Sequence, residues 1–210
     1  MNFEKNIKKI QNQTKKAQLV VVTKNQSIEN IKNIYKIGER NFGENKVQDL
    51  LKKQQQLPND INWHMIGHLQ TNKVKLITPF IHMIQSVDSL KLINRINSCG
   101  EKHQRVINCL IQIKIANEET KYGFNIKEAQ QILTTDILSQ YNYINIKGIM
   151  GMASFSTNTN QIKNEFKLMK QLFDSCNNKY KILSMGMSND YILAYNTGSN
   201  MIRVGSAIFQ

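Results

Sequence analysis

Residues 19–27 read LVVVTKNQS. The first five form a short β-branched run of the kind that makes a strand, and residues 28–37 have helical periodicity. Ile28, Ile31, Ile34, Tyr35 and Ile37 fall on one helical face, with Gly38 where a helix C-cap belongs. A doubly wound open sheet would carry a glycine-rich phosphate fingerprint at this first strand-to-helix turn. TKNQS contains no glycine, which moves the reading from an open sheet toward a closed barrel.

Outward from that stretch the same alternation recurs. Strands are expected at 41–44, 62–66, 82–87, 106–116, 144–150, 181–184 and 201–204. Helices are expected between them, at 45–56, 71–78, from a cap at Asp88 or Ser89 to 98, and at 126–138, 160–176 and 190–196. Eight strands alternating with helices imply parallel βαβ units. The expected fold is therefore α/β, a single (β/α)8 TIM-type barrel with a short N-terminal helix over 3–16, filling residues 1–210 as one domain. Such barrels typically take ~250 residues, so a 210-residue chain must have short loops. Only two prolines, Pro58 and Pro79, occur, and no Gly/Ser-rich linker divides the chain.

Hydrophobic residues make up 40% of the sequence, enough for a sizeable core, so global disorder is not expected. The net charge is +13, but the basic residues are scattered. The nearest thing to a block is Lys5, Lys8, Lys9, Lys15 and Lys16. Asn, Lys and Ile are abundant throughout, so the charge reads as a solvated basic surface rather than a nucleic-acid footprint. Cys99, Cys109 and Cys176 form no CxxC pair, and their odd number is a poor disulfide framework. The opening MNFEKNIKKI has no apolar signal core, and no run approaches the ~18 apolar residues of a membrane span. A cytoplasmic protein is expected.

Lys24 ends the first strand, at the end of a barrel where active sites lie. It shares the face of Val20 and Val22. If those valines point inward so does the lysine, and a desolvated lysine suits Schiff-base chemistry. The loops after strands seven and eight, SMGMS at 184–188 and RVGSA at 203–207, supply Gly186, Ser188, Gly205 and Ser206. Barrels commonly bind phosphate with these two loops. Glycine lets the backbone approach an anion, and amides and hydroxyls donate to it. His64 and His68 are four apart, but a strand and Gly67 separate them, so no metal site is expected. Met150, Met152, Met185 and Met187 read as packing at the barrel mouth.

Six motifs stand in order: VVTK at 21–24, FGENKVQ at 42–48, WHMIGHLQTNK at 63–73, KGIMGM at 147–152, SMGMSND at 184–190 and IRVGSAIF at 202–209. In these the chain resembles the pyridoxal phosphate homeostasis protein family, described as fold-type III barrels that bind pyridoxal 5′-phosphate (PLP). The resemblance implies that Lys24 forms the Schiff base and that Ser188, Gly205 and Ser206 cradle the phosphate. It implies that Arg203 faces the pyridine nitrogen and that Asn45, His64 and Met150 line the pocket. Lys121, in ETKYG, matches a second lysine that takes part in handing PLP on. Departures are Thr23 for a serine, Gln26 for a further lysine and Ser206 for a threonine. The sequence also ends at Gln210, where relatives continue with a basic tail whose function is then missing.

A guanidinium stays protonated. Beside the pyridine it keeps that nitrogen unprotonated and the ring a weak electron sink. The expectation is a monomeric carrier that buffers PLP for apo PLP-dependent enzymes, with no catalytic residue, no nucleic acid and no membrane partner. The alternative is a PLP-dependent racemase-like enzyme. Such racemases carry a further β domain supplying the opposing acid or base, for which the barrel leaves no chain here. Two readings from other classes are a nucleic-acid-binding module and a barrel enzyme that attacks a phosphorylated carbonyl substrate through Lys24.

Overall fold

A computed structural model describes residues 2–116 and 122–210. Lys121 lies outside them. Strands β1 Gln18–Val22, β2 Asn41–Glu44, β3 Asn62–Met65, β4 Met83–Val87, β5 Ile107–Ile113, β6 Ile144–Gly151, β7 Ile182–Ser184 and β8 Met201–Val204 pair in chain order. All pairs are parallel, and β8 returns to β1 to close the barrel. The expected (β/α)8 topology is the observed one.

Helices α1 Phe3–Gln13, α2 Ile28–Lys36, α3 Val47–Gln54, α4 Val74–Ile77, α5 Leu90–Lys102, α6 Ile126–Thr134, α7 Thr159–Ser175, α8 Tyr191–Asn196 and α9 Ser206–Phe209 surround it. Local chemistry starts several of them. The Ser27 and Ser89 hydroxyls accept from Asn30 N and Leu92 N, and Asn125 with Glu128 forms a capping box. α1 buries Phe3, Ile7 and Ile10, and the Phe3 ring meets Phe209 of α9 edge-on at 5.6 Å.

Several boundaries differ from expectation: α1 ends at Gln13, β5 spans only Ile107–Ile113 and α5 runs on to Lys102. α6 stops at Thr134 instead of running to 138. Thr134 and Thr135 turn their hydroxyls onto the carbonyls of Gln130 and Gln131, and Thr135 is extended. Adjacent β-branched residues that bond back to the helix favour such an ending. At 71–78 a 3-10 turn, Thr71–Lys73, precedes α4.

Strand alternation sorts side chains into two cores. Leu19, Val21, Phe42, Trp63, Met65, Ile84, Cys109 and Ile202 point outward into one cluster under the helices. Val20, Met83, Leu110, Met150 and Met201 point inward and fill the barrel. The register skips a residue opposite Cys109/Leu110, which brings Met150 inward. Next to that irregularity a Cβ on Gly148 would stand 1.8 Å from the Ile182 carbonyl oxygen. Gly148→Ala must push β7 off β6. It is expected to destabilise the chain by about 1–3 kcal/mol or more, lowering the urea midpoint with the m-value unchanged. A wild-type midpoint would show that the strands yield at no cost.

Candidate functional site at the C-terminal mouth of the barrel

β1 ends at Val22, and a tight turn comes next in which Gln26 N donates to Thr23 O at 3.0 Å. Asn25 closes it in the left-handed region (φ 62°), a conformation asparagine tolerates. Lys24 stands in this turn, on the inward parity of Val20 and Val22 but exposed. Alternation alone implies a buried lysine. The strand stops two residues short of it, so Lys24 stands on the rim beyond the end of β1.

Thr23, by contrast, is fully buried. Its hydroxyl donates to Glu44 Oε1 at 2.6 Å, while Lys53 Nζ donates to Thr23 O at 2.7 Å and to Glu44 Oε1 at 2.5 Å. Glu44 is 0% and Lys53 7% exposed. None of the three is a site residue that sequence reasoning selects. A signal for Lys53 is present, because α3 sets it on the same helical stripe as Val47 and Leu50.

Arg203, 3% exposed, points inward from β8 at the level of Val20. Its Nη1 donates to Ser184 Oγ at 2.6 Å and its Nη2 to Gly151 O at 2.9 Å. Ser184 Oγ donates to Gln85 Oε1 at 2.8 Å. Gln85 Nε2 lies 3.1 Å from His64 Nδ1, and His64 Nε2 lies 3.4 Å from Asn41 Oδ1. The directions are dictated by the first member. A guanidinium only donates, so the serine proton must go to Gln85, whose amide nitrogen then faces an unprotonated Nδ1. His64 therefore carries its proton on Nε2. The chain of bonds requires a neutral imidazole, and burial, with His82 beside it, holds the His64 pKa down at about 3. Burial also lowers Arg203, to about 10 against the pull of Asp190, so it stays charged at neutral pH.

The loops after β7 and β8 meet as expected. Ser188 Oγ accepts from Gly205 N at 3.2 Å and Ala207 N at 3.3 Å, and Arg203 N donates to Gly186 O. A Cβ on Gly205 would stand 3.1 Å from Val22 O, so this loop lies against the end of β1. Ser206 is exposed beside it, and Met150 belongs to the apolar floor. Asn45 is half-buried in the loop after β2, where Gly67 approaches its backbone so closely that a Cβ would clash. His64 is fully buried and is linked to Arg203 through Ser184 and Gln85. His68 is on the rim, 2.8 Å from Asp88 Oδ2 and stacked on Tyr122. Among the described residues no group of three His, Cys, Asp or Glu could hold a metal, and no helix is long and apolar enough to cross a membrane.

The family model for the alanine racemase N-terminal domain matches residues 1–210. A Schizosaccharomyces pombe protein named pyridoxal phosphate homeostasis protein is 36% identical over 91% of this chain and 82% of its own. The structure of PipY from Synechococcus elongatus with PLP bound superposes with a TM-score of 0.89 at 29% identity, covering 99% of this chain and 100% of that one. Alanine racemase of Clostridium difficile shares the fold at a TM-score of 0.81 and 17% identity, with 99% of this chain matching 56% of that one.

The buried neutral histidine has a consequence for stability. The unfolded chain binds a proton at His64 near its ordinary 6.5, whereas the folded chain does so only near 3. Stability therefore falls as pH drops through this window and levels off below it. Between pH 7 and 5, His64 alone is expected to cost on the order of 2 kcal/mol. His82, lowered by burial and by Arg105, adds in the same direction. Urea unfolding of wild type and His64→Gln at both pH values checks this. Equal losses in the two proteins would show that His64 is protonated within the fold.

Proposed function

The chain belongs to the alanine racemase N-terminal domain family and, within that fold, to the pyridoxal phosphate homeostasis proteins, and from this premise we propose that it binds PLP at the barrel mouth and keeps it in reserve for other proteins. When bound, PLP supplies an aldehyde that a lysine amine captures reversibly and a pyridine ring whose electron demand depends on its nitrogen.

The residues at the mouth fit that group. Lys24 offers an exposed amine on the inward parity of β1. Ser188 and the Gly205 and Ala207 amides already converge, and with Ser206 they would hold the phosphate. Met150 and its neighbours give an apolar floor. Asn45 would flank the opening from the loop after β2, and His64 acts from below by orienting Gln85. Arg203 is the observation that carries the reading. It is a buried cation, fixed on two sides by Ser184 and Gly151, and it would face the pyridine nitrogen without yielding a proton to it. A ring so held is a poor electron sink, which favours storage over amino-acid turnover. The 210 residues then act as one barrel domain, a cytoplasmic monomer that passes PLP to apo enzymes. Lys121 is the candidate to assist that transfer.

Absorbance spectroscopy tests the proposal. Wild type incubated with PLP is expected to develop a visible band that borohydride abolishes, leaving the cofactor attached to Lys24 by peptide mass mapping. Lys24→Ala is expected to show neither. Absence of the band in wild type would move a phosphorylated carbonyl substrate into first place. Exchange of amino-acid α-protons with solvent, measured on the loaded protein, is expected at background level. Exchange that depends on Lys24 would restore the racemase-like alternative.

A further inference from the structure

The Glu44–Lys53 pair is not accounted for by PLP contacts, because Glu44 is on the outward parity of Phe42 in β2 and Lys53 meets it from α3. A buried ion pair is seldom justified by stability, since well-packed apolar residues of similar size serve as well or better. This one is also incompletely bonded. Glu44 Oε1 receives both Lys53 and Thr23, while Glu44 Oε2 is buried with no partner among the described residues. What the pair does achieve is directional. Each member bonds to Thr23, the residue before Lys24, one at its hydroxyl and the other at its carbonyl oxygen. That same carbonyl oxygen closes the turn by accepting Gln26 N. The Thr23 hydroxyl and the peptide plane entering Lys24 are thus both pinned from α3 across β2. Beyond the turn, Asn30 Nδ2 donates to Gln26 Oε1 and Ser27 caps α2, so the segment is held at both ends.

We propose that Glu44 and Lys53 are positioning residues that set, through Thr23, the direction in which Lys24 leaves the barrel rim, and so the rate at which its amine captures and releases PLP. The proposal rests on the PLP reading for its consequence, but the positioning itself can be measured without PLP.

The test compares wild type with Glu44→Leu/Lys53→Met, which removes both charges together, and with Thr23→Val and Thr23→Ser. Thermal unfolding of the double variant is expected to stay close to wild type. Hydrogen exchange is expected to quicken at the Gln26 amide and its immediate neighbours while the barrel strands keep their protection. PLP capture by Lys24, followed by its visible band, is expected to slow on the order of ten- to a hundredfold, the size of effect that small misplacements of a reacting group produce. Thr23→Val, which leaves the ion pair in place, is expected to share the defect, and Thr23→Ser to restore wild-type behaviour. A double variant that folds, keeps its Gln26 protection and captures PLP at the wild-type rate overturns the proposal. Should the double variant not fold, Thr23→Val decides by the same two readings. Should wild type capture no PLP, the functional reading fails, and the Gln26 amide alone decides whether the pair holds the turn.

Discussion

A guanidinium buried inside a closed barrel is the constraint around which the interior is arranged. Arg203 cannot shed its charge, and the inward faces of β1, β4 and β8 offer it mainly Val20, Met83 and Met201. Its donors must therefore be met by groups placed there for the purpose. Gly151 O and Ser184 Oγ meet them, and the second of these sets off a sequence of dependent choices. Ser184 can accept from the arginine only by donating onward. Gln85 turns its oxygen toward Ser184 and its nitrogen toward His64. His64 must then be neutral, with its proton directed toward Asn41. A polar chain in a low-dielectric interior is stable only when every member is satisfied, so the charge on Arg203 determines a tautomer three hydrogen bonds away.

The barrel contains a second buried cation, handled differently. Lys53 lies outside the strands, on α3, and is neutralised directly by Glu44 rather than spread over neutral dipoles. The two cations divide the work of the mouth. Arg203 fixes the chemistry of the floor through contacts along the axis, and Lys53 fixes the rim through the Thr23–Gln26 turn. The loops after β7 and β8 are held to each other by Ser188, and the absence of a side chain at Gly205 lets them lie against the end of β1. The closeness of β1 and β8 that closes the barrel also sets the lysine turn beside this anion-ready loop.

The architecture is legible in the sequence because short strand segments, several of them β-branched as in β1 and β5, alternate with helical stretches bounded by caps and turns. Those signals are local and survive folding. The faces are legible too: Val20 and Arg203 point inward as a period of two requires, whereas Met150 does so only after the skipped residue in β6. Pairing across the axis is not. Gln85 is one polar residue in the apolar run MIQSV, and nothing local connects it to Ser184, 99 positions away. Alternation says which way it points but not which strand will answer. Glu44 is visible only as one acid in FGEN, and its partner lies nine residues on in a helix rich in lysine. Alternation overstates the burial of Lys24 for the complementary reason. Parity carries no information about where hydrogen bonding stops, and β1 ends at Val22.

An exposed lysine on a rigid turn is a consistent arrangement for a site that must both hold and let go. A buried amine has to be desolvated before its partner arrives and resolvated when the partner leaves, and each step is slow if the surrounding core is close-packed. In this barrel the desolvated charges are confined to groups that need not move. Arg203, Gln85 and His64 are bonded to one another, with Ser184 between the first two, rather than to Lys24, and the Glu44–Lys53 pair acts on the backbone before the lysine rather than on its amine. On the proposed function, the side chain that would change its bonding, Lys24, is also the one that water can reach. Its direction is set from behind, so solvent access does not come at the expense of orientation. The division between a buried frame and an accessible Lys24 therefore stems from where β1 ends, just before Thr23, whose carbonyl oxygen accepts from Lys53 and whose hydroxyl donates to Glu44.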